Sequence, residues 1–427
     1  MSTINTEQVP GRAGASAGVE HQERCRSCGD PGLIDVLKLG EQPLANTLRA
    51  PGQLDLPEAR YPLDLAMCPG CSLVQILDSV PPAEMFENYP YFSSVVQTLV
   101  TNARDIATRL IEEDSIDAGS LVIEVASNDG YLLQHYRDAG IPVLGIEPAR
   151  NVAVVAERNG IPTRCEYFGP ELAEQLVGEG LRPKVVHANN VLAHVPDLNG
   201  FVAGISTLIG DWGRAVIEVP YVKDFLDRRA FDTIYHEHLC YFSVTALDHL
   251  MARHDLEIER LERIPIHGES LRLFVRRRGS GPIDPSVDGL LEEERGWGLQ
   301  GPEPYRELAA DVERIGSQLR ELLGGLKGKG ASIAAYGAAA KGATLLNTFG
   351  IGAETLDFVA DASPHKQGLH MPGSGLPIRP PQALVEERPD YVLLLAWNLV
   401  DEIMRQQEEF RQAGGRFIVP VPEPEVL

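Results

Sequence analysis

The sequence predicts an α/β protein in which a small metal-binding module precedes two domains with Rossmann-like parallel sheets. Apolar runs alternate with helical segments over residues 120–219 and again over 331–395, and this alternation indicates the two sheets. Strands and helices that alternate at this pace usually form a parallel sheet with helices on both faces. Two Cys-x-x-Cys pairs near the start of the chain indicate the module.

The cysteine pairs are Cys25–Cys28 and Cys68–Cys71. Each pair presents two thiolates on a tight turn, at a separation suited to Zn²⁺, and two pairs supply the four ligands of a structural zinc site. The residues between the pairs are expected to form a small subdomain that folds only around the metal. Two disulfides, or four unrelated thiols, are the alternative interpretation.

Composition argues against several functional classes. The 427 residues carry a formal net charge of −23, so the chain lacks the basic surface that a nucleic-acid partner requires. It contains no run of eighteen apolar residues, and we expect no membrane span. Residues 1–24 have no apolar signal-peptide core and are predicted to be a disordered leader. Six cysteines, four of them predicted zinc ligands, fit a cytoplasmic protein.

Residue spacing places the remaining elements and the domain boundaries. Apolar residues at helical spacing predict an amphipathic helix from about residue 83 to residue 113. Residues 279–303 are rich in glycine, proline and charge and are predicted to be a linker or a domain boundary, followed by a long helix over 305–326. The predicted strands are 120–125, 143–147, 184–189 and 214–219 in the first α/β domain and 331–336, 356–360 and 391–395 in the second. The predicted domains are the metal-binding module at 25–82, the first α/β domain at 83–300 and the second at 301–427.

A polar turn after the first predicted strand indicates a nucleotide-type cofactor. Residues 124–130 (EVASNDG) lie between a strand and a helix, where an open α/β sheet binds its ligand. The turn lacks the G-x-G-x-x-G spacing and carries acids but no base, so it suits a zwitterionic or cationic ligand such as S-adenosylmethionine. Glu147, at the end of the next strand, is placed to accept both ribose hydroxyls, unless it is only a surface strand end. The candidate cofactor ligands are Glu124, Ala126, Asn128, Asp129, Gly130, Glu147, Pro148, Asn189 and Asn190.

These features favour a class I methyltransferase, and motifs along the rest of the chain narrow the prediction. The motifs are QPLAN (42–46), YPYFSS (89–94), EVASNDGYLL (124–133), GIEP (145–148), NNVLAHVPD (189–197), YHEHLCYFS (235–243) and AYGAAAKG (335–342). In this order they resemble the sugar C-methyltransferases that act on TDP-4-keto-deoxysugars in antibiotic biosynthesis. The resemblance implies an N-terminal zinc domain, a central S-adenosylmethionine domain and a C-terminal Rossmann-like domain that helps to bind the nucleotide. One departure is Glu269, which stands where the family usually has a glycine, and it puts the identity of the sugar in doubt.

The resemblance also implies the chemistry, which is methylation of the sugar at C3 through an enolate. His238 would be the general base, with Glu237 and Tyr235 in the same site. His194 would contact the substrate or stabilise the enolate, and Tyr91 would reach the sugar from the side of the zinc domain. Two other interpretations of residues 235–238 are a second metal site and a structural strand with incidental histidines.

The phosphates of the nucleotide should meet donors in the C-terminal half. Residues 336–342 follow a strand and open a helix, so their backbone N–H groups and Lys341 could hold a phosphate. A packing role for the glycines in this turn is the alternative. The candidate substrate contacts are Asn46, Ser94, Arg272, Tyr336, Gly337, Lys341, Asp361, Lys366 and Asn398.

Three other functions are compatible with parts of the pattern. An O-methyltransferase of sugars or natural products would also need a base. A zinc-containing oxidoreductase also combines four cysteines with a Rossmann domain, but its structural cysteines cluster closely and a dinucleotide glycine motif is missing here. The third is a zinc-ribbon interaction module on an inactive methyltransferase fold. Monomeric and homo-oligomeric states are both open.

Overall fold

The computed structural model describes residues 18–86, 92–265 and 270–427. Three sheets of four, seven and six strands follow one another along these residues, with a further two-stranded pair near the N-terminus. Within these ranges, no helix combines the length and apolarity needed to cross a bilayer. The predicted site residue Tyr91 lies outside the described residues, as does Glu269, the departure from the family pattern.

The N-terminal module is an antiparallel sheet, and one of its edge strands, Cys240–Tyr241, comes from the central part of the chain. The strand order is Cys240–Tyr241, β4, β3, β2, and Cys240 lies two positions after His238. The predicted leader is wrong at its C-terminal end, because β1 pairs with β5 and Gln22 N–H donates to the Leu77 carbonyl at 2.7 Å. The elements of this part are β1 (Glu20–His21), β2 (Ile34–Gln42), β3 (Tyr61–Met67), β4 (Val74–Ile76), β5 (Asp78–Ser79) and α1 (Pro82–Phe86).

The central domain has a seven-stranded sheet with the order β12-β13-β10-β9-β6-β7-β8. Five neighbouring strands, β10 to β8 in that order, are parallel, and β13 is antiparallel to both of its neighbours. Chain order reverses between β6 and β9, so the binding crevice of this sheet opens there. The strands are β6 (Val122–Val125), β7 (Val143–Ile146), β8 (Thr163–Arg164), β9 (Val185–Asn189), β10 (Arg214–Pro220), β11 (Cys240–Tyr241), β12 (Leu256–Ile264) and β13 (Ser270–Arg277).

Helices cover both faces of the central sheet. The amphipathic helix predicted from about 83 to 113 is confirmed only over Gln97–Glu113 (α2), which buries Leu99, Ala103, Ile106 and Leu110. The predicted linker at 279–303 is wrong, since most of it is helix α9. Asp284 caps that helix, Pro285 occupies its first turn, and Gly298 ends it in the left-handed conformation. The helices are α2 (Gln97–Glu113), α3 (Leu133–Asp138), α4 (Arg150–Arg158), α5 (Pro170–Gly178), α6 (Leu198–Ile209), α7 (Val222–Asp227), α8 (Val244–Ala252) and α9 (Pro285–Trp297).

The C-terminal domain is a second doubly wound sheet, with the order β16-β15-β14-β17-β18-β19. All strands are parallel except β19, and the chain reverses between β14 and β17, where a second crevice opens. The long helix α10 was predicted at nearly the observed position. The elements are α10 (Glu303–Gly328), β14 (Ile333–Tyr336), α11 (Ala340–Phe349), β15 (Val359–Ala360), β16 (Ile378–Arg379), α12 (Ala383–Glu387), β17 (Tyr391–Leu394), α13 (Val400–Gln406), α14 (Glu408–Gln412), β18 (Arg416–Val419) and β19 (Glu425–Val426).

Buried polar side chains of the central sheet form hydrogen bonds with side chains of α2 and α3. The Tyr136 Oη and the His187 Nε2 lie 2.9 Å apart, and both side chains are fully buried. The Arg272 guanidinium bonds the Glu218 carboxylate at 2.8 Å and the Asn102 amide oxygen at 2.6 Å. The predicted substrate contact of Arg272 is therefore corrected to a structural ion pair, because both charged partners are buried inside this sheet.

Burial of His187 makes the fold sensitive to acid. Desolvation lowers the pKa of His187 to about 3 in the folded protein, whereas an exposed histidine titrates near 6.5. The folded-state pKa is depressed, so the stabilisation is fully present above about pH 6.5 and is lost as pH falls toward 3. We expect His187→Gln to reduce the acid slope of the unfolding free energy by one proton, about 1.4 kcal/mol per pH unit. Urea unfolding between pH 7 and 4.5 measures this slope, with exposed His249→Gln as control. Identical slopes for wild type and His187→Gln would contradict the assignment.

Candidate active site

The four cysteines of the two pairs converge on one point of the N-terminal module. The Sγ atoms of Cys25 and Cys71 lie 3.5 Å apart, those of Cys28 and Cys68 lie 3.4 Å apart, and all four lie within 4.8 Å of one another. Tetrahedral Zn²⁺ with Zn–S bonds of about 2.3 Å holds its sulfurs about 3.8 Å apart, so the thiols fit this metal. All six cysteines are free thiols, which overturns the disulfide alternative.

Each knuckle turns through a residue with positive φ directly after its second cysteine. These residues are Gly29 at 73° and Ser72 at 62°. The first knuckle is tied to the central domain, because the Asn199 side-chain amide donates to the carbonyls of Arg26 and Ser27 at 2.8 and 3.0 Å. The metal site and helix α6 therefore support each other.

The turn after β6 has a left-handed backbone at alternate positions. Ala126, Asn128 and Gly130 have φ values of 56°, 51° and 81°. Only Gly130 is a glycine, and a Cβ atom there would meet Ile161 Cγ1 at 2.7 Å. The loop thus has the conformation of a glycine-rich turn, although two of the three positions carry side chains. The spacing of glycines in the sequence therefore does not reveal this conformation.

A cavity of about 380 Å³ lies at the carboxyl ends of β6, β7 and β9. The predicted cofactor residues that line it are Ala126, Asn128, Glu147, Pro148, Asn189 and Asn190. Tyr131, Tyr167 and Phe168 also line it and were not singled out from the sequence; the position of Tyr167 and Phe168 just after a strand end is the signal that could have found them. His194 is part of the same wall, so the cavity reaches from the cofactor turn to a predicted catalytic residue.

Three predicted cofactor residues shape the turn and do not line the cavity. Gly130 packs against Ile161 as described. Asp129 Oδ2 accepts the Ser94 N–H at 3.2 Å, while its Oδ1 is buried without a hydrogen bond. Glu124 is buried in the sheet beside His187. Ser94, predicted as a substrate contact, therefore touches the cofactor turn through its backbone and exposes its side chain.

Three acidic side chains lie in and next to the turn at the edge of this cavity: Glu124, Asp129 and Glu147. Burial raises the pKa of Glu124 well above its ordinary value, and the charges of Glu147 and Asp129 add to the effect. Burial also raises the pKa of Glu147, although its carboxylate accepts the N–H groups of Ala149 and Asn128 at 2.8 and 2.9 Å. Glu147 is 5% exposed, which overturns the alternative of a surface strand end. The surroundings favour a cationic ligand over an anionic one.

Tyr235 and His238 form a hydrogen-bonded pair between the module and the central domain. The Tyr235 Oη lies 2.8 Å from the His238 Nε2, and the His238 Nδ1 lies 3.0 Å from the Thr233 carbonyl oxygen. Because a carbonyl can only accept, Nδ1 carries the proton of the neutral ring and Nε2 is left as the acceptor. Both side chains are partly exposed, whereas their neighbours Ile234, His236 and Glu237 are buried.

His194 and Glu237 complete this polar group. The rings of His194 and His238 meet edge to face with centroids 4.9 Å apart. Burial lowers the pKa of His194 to about 4, against the effect of a hydrogen bond to the Glu237 backbone. Burial raises the pKa of Glu237, against the effect of the Asn46 amide, whose Nδ2 donates to its Oε1 at 2.6 Å.

His236 points away from this group. Its Nε2 lies 3.3 and 3.2 Å from the carbonyl oxygens of Tyr61 and Pro62, at the start of β3. A metal site formed by His236 and His238 is therefore not supported, since their rings bond to different carbonyls. The interpretation as incidental histidines holds for His236 alone.

The second crevice gathers six predicted substrate contacts at the carboxyl edge of the C-terminal sheet. Asp361 accepts the N–H groups of Ala338 and Ser363 at 2.7 and 2.8 Å. Lys366 Nζ donates to the Ala338 carbonyl at 2.8 Å. The six residues are Tyr336, Gly337, Lys341, Asp361, Lys366 and Asn398.

Close packing explains both glycines of this turn. A Cβ atom on Gly337 would meet the Ala396 Cβ at 2.9 Å, and one on Gly342 would meet the Leu395 Cβ at 2.9 Å. Gly337 also has a φ of 101°. The alternative that these glycines have a packing role is therefore confirmed. Their lack of a side chain lets the ends of β14 and β17 approach each other at the crevice.

Comparisons with known proteins match the whole length of this architecture. Three family models match consecutive segments: a zinc binding domain at residues 25–86, a methyltransferase domain at 99–261 and a C-methyltransferase C-terminal domain at 265–422. The C-methyltransferase NovU of Streptomyces niveus is 36% identical over 406 residues, which cover 95% of this chain and 97% of NovU. This chain belongs to that C-methyltransferase family. The family predicted from the sequence motifs is confirmed, and the chain is an enzyme.

Solved structures overlap with part of the chain only. Magnesium protoporphyrin IX methyltransferase from Synechocystis PCC 6803, with bound SAM, is 14% identical and covers 42% of this chain and 79% of its own, with a TM-score of 0.33. A Burkholderia thailandensis 1,6-didemethyltoxoflavin-N1-methyltransferase is 17% identical and covers 42% of this chain and 77% of its own, with a TM-score of 0.31. Overlaps of this size support no conclusion on their own.

S-adenosylmethionine and Zn²⁺ are the cofactors of this enzyme, as predicted. The described residues fit both groups. Four sulfurs surround one point, as a tetrahedral metal requires. The cavity, which Glu147 lines, also presents buried oxygens of Asn189 and Asn190 that accept no hydrogen bond from the protein and so remain for a ligand.

Proposed function

We propose that the enzyme transfers a methyl group to C3 of a TDP-4-keto-deoxysugar through an enolate, in deoxysugar biosynthesis for an antibiotic. The observation that carries the proposal is the Tyr235–His238 pair, which touches His194 at the wall of the cofactor cavity. A carbon atom becomes nucleophilic only after it loses a proton, and a ketone at C4 acidifies the hydrogen on C3. The site must therefore supply a base, a donor for the enolate oxygen and a fixed geometry.

The residues of the pair divide these tasks. His238 Nε2 takes the C3 proton, and the electron pair of that C–H bond passes into the enolate. Without substrate, the Tyr235 hydroxyl occupies Nε2. With substrate, this hydroxyl turns to the C4 oxygen, which frees Nε2 and stabilises the negative charge on that oxygen. When bound, S-adenosylmethionine supplies an electrophilic methyl carbon on a sulfonium.

The neighbouring side chains hold the sugar. Glu237, oriented by Asn46, accepts a hydroxyl of the sugar. Neutral His194 contributes a second polar contact to the enolate, consistent with the depression of its pKa by burial. Tyr91 lies outside the described residues and is kept as a proposed contact of the sugar on the resemblance to the family alone.

We assign the proposed cofactor contacts to the first crevice and the proposed nucleotide contacts to the second. Glu147 accepts the ribose hydroxyls of S-adenosylmethionine, and the turn at residues 126–130 holds its amino acid end, with Asn189 and Asn190 on the adenine side. The TDP phosphates lie in the second crevice, against the first N–H groups of α11 and the side chains of Lys366 and Asn398.

We further propose that the domain boundaries are those predicted from the sequence. The units are a zinc-binding domain at 25–82, a methyltransferase domain at 83–300 and a nucleotide-sugar-binding domain at 301–427. A cytoplasmic location is part of the proposal, because the four zinc ligands must stay reduced. Neither nucleic acid nor membrane has a place among the proposed partners.

The test uses purified full-length enzyme, methyl-¹³C-labelled S-adenosylmethionine and a TDP-4-keto-deoxysugar. We expect the label on C3 and, in D₂O with S-adenosylhomocysteine in place of the methyl donor, incorporation of deuterium at C3. The matched control is the same nucleotide sugar with its 4-keto group reduced, which should accept neither label. Label on oxygen, or equal transfer to the reduced sugar, would refute methylation of carbon through an enolate.

A further inference from the structure

The short helical turn Phe231–Thr233 precedes the Tyr235–His238 pair in the chain and packs against the C-terminal domain. The Phe231 ring packs on Phe349 of α11, with centroids 5.1 Å apart. The Thr344 hydroxyl of α11 donates to the Ile234 carbonyl at 3.2 Å. One helix of the C-terminal domain therefore holds both ends of this turn.

Asp232 is the acidic residue of this turn, and its side chain contacts the C-terminal domain. Its side chain has no exposed surface, and its Oδ2 accepts the indole N–H of Trp397 at 2.7 Å. The Lys341 Nζ lies 3.9 Å from the same oxygen. Among the described residues, these are the polar contacts of Asp232 that cross from the C-terminal domain.

The Lys341 ammonium group has two further contacts within the C-terminal domain. Its Nζ donates to the Asn398 side-chain oxygen at 3.1 Å and lies 3.9 Å above the centre of the Trp397 ring. Burial lowers the pKa of Lys341, and the Asp232 charge opposes that shift. A buried carboxylate and a buried ammonium stay in place at a domain boundary only when each compensates the other.

The residue after Asp232 sets the hydrogen-bonding state of His238. The Thr233 carbonyl accepts from His238 Nδ1 at 3.0 Å and from the Tyr241 hydroxyl at 3.3 Å. The first of these bonds keeps the proton on Nδ1, so that Nε2 is the acceptor nitrogen, which the Tyr235 hydroxyl occupies in this structure. A displacement of Thr233 would remove that control.

We propose that Asp232, Lys341 and Trp397 form a clamp between the domains that positions His238 through the Thr233 carbonyl. The three are positioning residues, which act on the base without touching the substrate. The inference rests on the proposed role of His238 as the base. It gives the C-terminal domain a part in catalysis in addition to nucleotide binding, and it assigns Lys341 a partner other than the phosphate predicted from the sequence.

The test compares Asp232→Asn, Trp397→Phe and the double variant Asp232→Asn/Lys341→Met in the full-length enzyme. Asp232→Asn keeps an acceptor for Trp397 but leaves the Lys341 ammonium without its counter-charge. We expect kcat to fall about 10- to 100-fold in Asp232→Asn, as for a base displaced by about 1 Å. KM for S-adenosylmethionine should stay within about twofold, since Asp232 is outside the cofactor cavity. The double variant should recover part of the loss, because it removes both charges.

Long-range ¹H–¹⁵N correlation spectra of histidine-labelled protein supply a readout that needs no substrate. The Nδ1–H form of His238 should dominate in the wild type and give way to a mixture in Asp232→Asn. The control is Lys327→Met, which removes a lysine 3.6 Å from Asp357 at the surface of the same domain. It should leave kcat and the spectra unchanged.

The outcomes separate the clamp from the proposed function. An unchanged His238 tautomer together with an unchanged kcat in Asp232→Asn would overturn the clamp. A changed tautomer in an enzyme whose wild type does not methylate the keto sugar would uphold the clamp and overturn the proposed substrate. Equal loss of kcat and of S-adenosylhomocysteine binding would mean general unfolding, and would overturn the clamp if Trp397→Phe behaves in the same way.

Discussion

Cys68→Ser is expected to abolish zinc retention and to lower turnover at least about 100-fold. Structural zinc contributes about 10–16 kcal/mol of apparent binding free energy to small domains, as much as the whole stability of an ordinary domain. Loss of one of four thiolates should therefore unfold the module. Its strand β4 pairs with β11, and Ile76 N–H donates to the Leu239 carbonyl at 3.0 Å, directly after His238. A disordered β4 would release residues 235–241, the proposed catalytic segment.

Three measurements check this expectation on the same preparation. Elemental analysis counts zinc per chain, calorimetry with S-adenosylhomocysteine reports the cofactor cavity, and methyl transfer reports the base. The matched control is Cys165→Ser, an exposed cysteine outside the metal site whose Sγ contacts the Pro148 carbonyl at 3.6 Å, a contact that a serine hydroxyl can keep. Full activity in a zinc-free Cys68→Ser protein would contradict the coupling between the module and the catalytic segment.

His238→Asn is expected to lower kcat by about 10²- to 10⁴-fold, the range for removal of a general base. The asparagine can still bond the Thr233 carbonyl, but it offers no imidazole nitrogen toward Tyr235. Binding of S-adenosylhomocysteine should stay within about twofold, because His238 is not part of the cavity wall that His194 contributes. Deuterium exchange at C3 of the sugar should be lost in parallel, since both processes need the same proton transfer.

Tyr235→Phe separates the two members of the pair. This variant retains the base and removes the donor, so exchange at C3 should be slowed less than in His238→Asn. The exposed His249→Asn is the control for a histidine lost at a neutral position. Turnover above half of the wild-type value in His238→Asn would remove this residue from the mechanism and leave the cofactor assignment intact.

Local sequence patterns were sufficient for the elements that depend on near neighbours. The cysteine pairs and the long α10 are encoded by spacing within a few residues and were found where they were predicted, and the amphipathic helix was found over the second half of its predicted range. The prediction of a linker at 279–303 was wrong because the residues that begin and end a helix there are also residues that interrupt helices. Asp284, Pro285 and Gly298 delimit a helix and also enrich the segment in the residues typical of loops.

Residue roles that depend on distant partners could not be predicted in the same way. Arg272 has the side chain of a phosphate ligand, but its register in β13 places it opposite Glu218 of β10. Ala126 and Asn128 do not look like glycines, yet the turn holds both at positive φ. Such outcomes follow from strand pairing and loop closure, which join residues far apart in the chain.

The sequence by itself determined the cofactors, the family and the order of the domains, because metal ligands and cofactor turns are short motifs with their own spacing. Only the tertiary structure decided that β4 of the zinc module pairs with β11, next to the proposed base His238, and that Asp232 meets Lys341 and Trp397 across a domain boundary. These contacts join residues between about 110 and 170 positions apart in the chain. They arise from the packing of whole domains, for which no local pattern in the chain is a sufficient signal.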